Sequence, residues 1–340
     1  MDPKEKPASG VERHGARRTC YDTEMWFGSR EERVRRLEAH AREALEAGAL
    51  EEAERAAGEL LELGWSGGFE IQALAARARG SDERAASVLE EGLSHVPEAW
   101  PLWDLLGIVR SDLGRYDGAM EAFDRALACE GCDPIAVRFN RAIARHRGGD
   151  PGGAWDDLEP VFALSAPPPF AEDALGLAAA CLADLGRASE GLALVRAAHA
   201  SCAEADPRRA RLDAELAIAL DRAGDAEAAQ AFARAAEAGA STPALFALGR
   251  RLSPIEARAP RLHRIVVDAP APLETHARGL LRVFDVAADD AAQALELARV
   301  YLPAVSRDHA RLDEHHDRGE APPGELGVLW ASGLVYYDEP

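Results

Sequence analysis

The sequence predicts a mainly α-helical protein, an α-solenoid of about six helix pairs followed by a small α+β domain. Apolar residues recur at the helical interval over residues 30–253, as at Leu102, Leu105, Leu106 and Val109. Small residues recur along the same stretch at a nearly constant interval, which indicates repeated helix pairs. After Pro254 the pattern changes to runs rich in β-branched residues, which predict strands.

Composition and charge exclude several classes of function. The chain has 340 residues with 39 Lys+Arg against 59 Asp+Glu, so its formal charge is −20. Nucleic-acid binding needs a basic surface to neutralise phosphates, and no Lys/Arg stripe is present. The same acidity disfavours anionic membrane surfaces. The longest uncharged apolar run, residues 174–183, covers only about half a bilayer span.

The cysteines and the N-terminal segment predict a reduced, cytoplasmic protein. Five cysteines occur at irregular spacing, which does not suit a disulfide framework. The first residues contain no apolar signal-peptide core. Residues 1–29 mix charges, Gly and Pro without a hydrophobic period and predict a disordered or loosely docked tail. Its apolar patch, Tyr21 with Met25–Phe27, either tucks against the first helix or docks onto a partner or the chain's own groove. The Ala and Arg bias is typical of a GC-rich bacterial genome.

The repeat is defined by a glycine followed five residues later by a small residue. The six pairs are Gly48/Ala53, Gly80/Ala85, Gly114/Ala119, Gly149/Ala154, Gly186/Gly191 and Gly224/Ala229. The glycine supplies a left-handed helix end, and the small residue lies where two helix axes approach closely. The predicted helix pairs span residues 31–63, 66–95, 99–129, 134–164, 169–203 and 207–238, and a capping helix spans 242–253.

The third unit carries the clearest motif. It reads Trp103-x2-Leu106-Gly107, then Gly114-x-Tyr116-x2-Ala119-x3-Phe123-x2-Ala126. This resembles the tetratricopeptide repeat, although Arg110 stands where that repeat has tyrosine. The resemblance implies a concave face, lined by first helices, that holds a peptide or a partner helix. The carboxylate clamp of the chaperone-binding subclass needs lysines and several asparagines; this chain has one Asn, Asn140, and no lysine after Lys6.

On the repeat's grid, the candidate partner-binding residues form a mixed set of apolar and polar side chains. They are Ile71, Arg77, Ile108, Phe139, Asn140, Ile143, Arg147 and Arg222. The arginines suit bidentate binding of carboxylates. The competing interpretation of each arginine is a solvated ion pair or one within the solenoid.

The C-terminal segment, residues 260–340, predicts a small domain of order β-β-α-β-β. Strands are predicted at 262–268 and 279–286, followed by a helix that begins at Asp289 or Asp290 and ends at Pro303. Residues 308–318 are a further candidate strand, and short strands at 327–330 and 334–337 close the domain. Because the module is small for a core of its own, we expect it to pack on the last helices. Trp330, Tyr336 and Tyr337 are either core or partner surface, and core is the favoured interpretation.

Catalytic chemistry finds little support. His309, His315 and His316 are weak metal candidates: the last two are adjacent and would face opposite sides of a strand, so a solvated acidic segment is favoured. Cys129 and Cys132 form a C-x-x-C without further ligands or a redox-fold context. No nucleophile elbow or phosphate-binding loop occurs. Carboxylate pairs such as Asp156–Asp157 indicate solvation and helix capping.

The sequence therefore favours a non-catalytic interaction scaffold without a cofactor, binding a protein or peptide in its groove. The alternative is that the C-terminal module carries the activity. It would act as an immunity-like inhibitor of a basic toxin, for which an acidic surface is suited, or as a metal-dependent enzyme.

Overall fold

The computed structural model describes residues 29–338. Thirteen helices fill the first part of this range, and their order follows the predicted pairs. They are α1 (Arg30–Glu46), α2 (Leu50–Glu62), α3 (Gly67–Ala78), α4 (Asp82–His95), α5 (Trp100–Asp112), α6 (Tyr116–Ala128), α7 (Pro134–Arg147), α8 (Pro151–Phe162), α9 (Ala171–Asp184), α10 (Ala188–Ser201), α11 (Arg209–Arg222), α12 (Ala228–Glu237) and α13 (Pro243–Leu252). Residues 1–28, most of the predicted tail, lie outside the described range.

Local sequence signals set the helix ends. Ser29 and Glu32 form a capping box at the start of α1, and the Asp133 side chain caps α7 just before Pro134. The six predicted turn glycines all have φ between 70 and 83°. Only glycine adopts this left-handed conformation readily, which explains its recurrence between paired helices.

The small residues after these turns pack as predicted in five units of the six. Ala53, Ala85, Ala119 and Ala154 are fully buried, and Gly191 lies against the backbone of Ala179. The sixth prediction, Ala229, is wrong because its side chain is exposed. Helix α12 begins later after its turn glycine than the other second helices, so the neighbouring Ala228 takes the buried position.

The described residues divide into two compact units, with the boundary between Cys132 and Asp133. In the described part of the first unit, α1–α6 form three helix pairs around two hydrophobic clusters. The first helices α1, α3 and α5 contact one another in succession. The predicted domain limits of 1–29, 30–253 and 260–340 divide the chain by its type of secondary structure, whereas the compact units are defined by contacts. The predicted limits stay a prediction.

The second unit combines helices α7–α13 with a five-stranded antiparallel sheet. Its strands are β1 (Arg261–Pro270), β2 (Gly279–Ala288), β3 (Arg311–Glu320), β4 (Gly327–Ala331) and β5 (Val335–Tyr337), with helices α14 (Ala291–Arg299) and α15 (Ala304–Arg307) between β2 and β3. The strand order is β3-β1-β2-β4, and β5 also pairs with β2. The structure has one strand more than the predicted order β-β-α-β-β. The additional strand is β3, which overlaps the polar stretch 308–318 that was only a candidate strand.

The sheet packs on the last helices, as predicted. Phe232 and Phe246 from the helices meet Tyr301 edge-on, and one hydrophobic cluster runs from α9 to the inner sheet face. Arg282 of β2 is fully buried and donates to the carbonyl groups of Ser332, Tyr301, Gly239 and Ala240. Arg282 therefore ties the sheet to the loop between α12 and α13.

Two expectations about burial are wrong. Trp330 is 45% exposed and Tyr336 42% exposed, because they lie on strands whose neighbours cover only the inner face of the sheet. Asp157, assigned to solvation or capping, is instead buried and accepts two hydrogen bonds from Arg141, at 2.9 and 2.6 Å. Within residues 29–338, no helix has the length and apolar character to cross a bilayer.

Candidate functional site

In the second unit, the first helices of successive pairs form a continuous surface, which we call the first-helix face. Helix α9 contacts both α7 and α11, and α11 contacts α13. A hydrogen bond or an ion pair crosses each of these junctions. His146 Nε2 lies 2.8 Å from Asp184 Oδ2, Arg211 pairs with Asp173, and Arg251 pairs with Asp221. These charged side chains are therefore paired with one another within the face.

Apolar side chains remain partly exposed between these ion pairs. Phe139 is half-buried and stacks on Phe170, with ring centroids 4.5 Å apart and planes 13° from parallel. Ile143 on α7 and Leu177 on α9 are also half-buried. Phe139 and Ile143 lie one turn apart on α7, and Phe139 and Leu177 pack against the same hydrophobic cluster. We call these three residues the apolar strip; the assignment of Phe139 and Ile143 to partner binding stays a prediction.

The two remaining candidates on α7 are polar. Asn140 is half-buried and Arg147 is exposed, and each already interacts with another group of the protein. Arg222 on α11 is exposed, and no hydrogen bond or ion pair joins it to the described residues.

The three candidate binding residues in the first unit differ in how exposed they are and in what they contact. Ile71 is fully buried in the cluster that joins α1, α2 and α3, so its assignment to a binding face is wrong. Arg77 pairs with Asp82 at 3.2 Å and with Asp112, which is the competing interpretation of an ion pair within the solenoid. Ile108 on α5 is half-buried.

Glu215 lies on the first-helix face, at one of the positions that the repeat grid gives for α11. It lies on α11, is only 8% exposed, and packs its carboxylate against the backbone at Gly176 of α9. Burial raises the pKa of this carboxyl to about 7, although Arg211 and Arg222 lower it and Asp173 raises it. Its position on the grid was predictable, but its burial depends on Gly176 of the neighbouring repeat.

The three histidines proposed as metal candidates do not converge. His309 lies before β3, and His316 Nε2 lies 3.5 Å from Glu314 Oε2. His315 instead contacts buried His263 of β1, with Nδ1 of His263 2.9 Å from Nε2 of His315. His263 Nε2 lies 3.2 Å from the carbonyl oxygen of Ala288, which can only accept, so Nε2 donates there. No group of three metal-binding side chains occurs among residues 29–338.

The two cysteines of the C-x-x-C pair follow the last turn of α6 and are not joined by a disulfide. Cys129 is buried and donates to the Arg125 carbonyl at 3.2 Å. Burial raises the pKa of its thiol, with a further contribution from Glu98, so the thiolate needed for disulfide exchange is disfavoured.

The arrangement of the helices is similar to that in solved structures of other proteins. No protein-family model matches the sequence. Among solved structures, PilW, described as a widely conserved type IV pilus biogenesis factor, aligns over 59% of this chain and 91% of its own, with 17% identity and a TM-score of 0.50. PilF of Pseudomonas aeruginosa aligns over 67% of this chain and 95% of its own, with 14% identity and a TM-score of 0.50. The helical part of this chain shares its fold with these proteins. Its repeated helix pairs, each with a turn glycine, have the tetratricopeptide-repeat fold.

Proposed function

We propose that this protein is a non-catalytic, cytoplasmic scaffold whose first-helix face in the second unit binds an extended peptide segment of a partner protein. The observation that supports this most is the apolar strip of Phe139, Ile143 and Leu177, which stays partly exposed although the charges around it are paired within the face. Such a strip provides affinity by burying apolar side chains of a ligand, while flanking polar groups orient it.

A selection from a random peptide library tests the proposal. Peptides selected on the full chain should bind the wild type with a dissociation constant measurable by fluorescence anisotropy. Phe139→Ala and Ile143→Ala should each weaken that binding by about tenfold, which is the loss typical of a central apolar contact. Trp330→Ala, which changes an exposed aromatic residue on the sheet, is the matched control and should bind as the wild type does. Unchanged affinity in both groove variants, with wild-type circular dichroism, would refute the proposal.

A second candidate function places the partner on the C-terminal sheet. Trp330, Val335 and Tyr336 are exposed there, and edge strand β3 presents Asp313 and Asp317 to solvent. These groups suit a basic partner, such as the toxin of an inhibitor pair. Loss of a peptide or protein ligand in Trp330→Ala, but not in Phe139→Ala, would favour this candidate.

A further inference from the structure

Two charges on α11 differ from the rest of the first-helix face. Asp173, Asp184, Arg211 and Asp221 each pair with a charge or a histidine on a neighbouring first helix. Glu215 and Arg222 make no hydrogen bond or ion pair with the described residues, although they lie on the same helix as Arg211 and Asp221. Among the described residues, Glu215 and Arg222 are therefore an acceptor and a cation on α11 that a ligand could pair with.

The Glu215 carboxylate is held in place by its surroundings rather than by a partner. Its oxygens occupy the space beside Gly176, where any Cβ would collide with them. The residue is 8% exposed, and the buried Nε of neighbouring Arg211 also has no hydrogen-bond partner. A donor supplied by a ligand would give the Glu215 carboxylate the hydrogen-bond partner that the described residues do not provide.

Arg222 lies seven residues after Glu215, which is two helical turns along the same side of α11. The rise of an α-helix puts their backbone positions about 10 Å apart. An extended peptide covers that distance in about three residues. One peptide can therefore contact both groups.

We propose that Glu215 and Arg222 form a subsite that recognises a basic residue and, about three positions away along an extended peptide, an acidic residue. The basic side chain donates to the Glu215 carboxylate, and the acidic side chain accepts from the guanidinium of Arg222, which suits bidentate pairing. This inference rests on the proposed function, because it specifies the peptide that the first-helix face binds.

Ionisation of the Glu215 carboxyl should make ligand binding at the subsite depend on pH. The groups that face its carboxyl are Arg211 and Arg222 of α11 and Asp173 of α9, and burial still raises its pKa to about 7. A cationic ligand needs the ionised carboxylate, so its affinity should rise as the pH increases through this value.

A heptapeptide library displayed on phage and selected on the full chain tests the subsite. Wild-type protein should enrich peptides with a basic and an acidic residue about three positions apart, in either order. Glu215→Gln should lose the preference for the basic residue and the rise in affinity between pH 6 and pH 8. Arg222→Gln should lose the preference for the acidic residue. Each should weaken binding of the enriched peptide by about tenfold. Arg234→Gln, on second helix α12, is the matched control and should change neither preference.

The possible failures are distinguishable. Enriched peptides without charge preference, or unaltered binding by Glu215→Gln and Arg222→Gln, overturn the subsite and leave the proposed function standing. Enrichment of acidic residues alone, with no basic partner, overturns the role assigned to Glu215. No enrichment at all overturns the subsite and the proposed function together.

Discussion

At the scale of single residues, the buried carboxyl of Glu215 makes stability depend on pH. Its folded pKa of about 7 lies above its ordinary value of 4.5, so the folded state holds this proton more tightly than the unfolded state. The associated stability is complete below pH 4.5 and is lost as the pH rises through 7. The loss reaches at most about 3 kcal/mol, from about 1.4 kcal/mol for each unit of pKa.

Glu215→Gln should remove this dependence. We expect the variant to unfold at higher urea concentration than the wild type at pH 8, where the native carboxylate is charged and buried, and at nearly the same concentration at pH 4.5. Circular dichroism at the two pH values measures the difference. Glu204→Gln, an exposed carboxyl in a neighbouring loop, is the control. Equal midpoints of wild type and Glu215→Gln at pH 8 would contradict the assignment.

Substituting two helical glycines by alanine distinguishes the cost of a steric clash from the gain in helix propensity. A Cβ at Gly107 would lie 2.6 Å from the Phe123 ring, whereas one at Gly58 would meet nothing within 4 Å. Gly107→Ala should lower the free energy of unfolding by about 1–2 kcal/mol, since overpacking outweighs the gain in helix propensity. Gly58→Ala should raise it by about 0.5–1 kcal/mol. Urea denaturation compares them, and stabilisation by both substitutions would show that the Gly107 contact relaxes freely.

The repeat motif includes Gly107, but the sequence could not predict which first-helix residues stay accessible. Phe139 and Ile71 have similar apolar character and similar places on the repeat grid. Phe139 remains half-exposed, whereas Ile71 is covered by the first helix pair. Burial of a first-helix side chain depends on the size of the residues in the adjacent repeat, as Gly176 shows for Glu215.

At the scale of elements, an ion-pair cluster joins α7 to α8. Asp157 accepts from Nε and Nη2 of Arg141 and lies 3.0 Å from Nη1 of Arg145. Asp157→Asn removes a buried charge and leaves the partly buried guanidinium groups of Arg141 and Arg145 uncompensated, so we expect a loss of about 3 kcal/mol. The exposed neighbour Asp156→Asn should change stability by less than about 0.5 kcal/mol. Thermal unfolding followed by circular dichroism decides, and equal effects of the two substitutions would mean that the cluster is dispensable.

For helices α7 and α8, the sequence predicted the limits of each helix but not the contacts between the two. The limits of α7 and α8 follow from local signals, namely Asp133 with Pro134 and Asp150 with Pro151. The role of Asp157 depends on the angle between the two helices, which local sequence does not encode. The sheet behaves alike: the β-branched runs predicted β1 and β2, but the pairing of polar β3 with β1 places His315 beside His263.

At the scale of the whole molecule, each compact unit has its own hydrophobic clusters, and in the second unit one cluster is shared by helices and sheet. The small size of the C-terminal module predicted this sharing, because so few residues cannot bury enough apolar surface alone. The connection through Arg282 was not predictable, since an arginine within a strand ordinarily indicates an exposed face. Here burial lowers the pKa of the guanidinium to about 10, which still leaves it charged at neutral pH.

Arg282→Met tests whether sheet and helices unfold as one body. The substitution keeps an unbranched apolar side chain but leaves the carbonyl groups of Ser332, Tyr301 and Gly239 without their donor. We expect the second unit to lose about 3–5 kcal/mol, because several buried acceptors become unpaired together. Hydrogen exchange followed by mass spectrometry should then show faster exchange in β2 and in α12 and α13 alike. Arg264→Met, which breaks a partly exposed pair with Asp285, is the control and should cost about 1 kcal/mol or less. Faster exchange confined to β2 would mean that the shared cluster holds the helices without Arg282, and that the sheet is an appendage to the repeat array rather than part of its core.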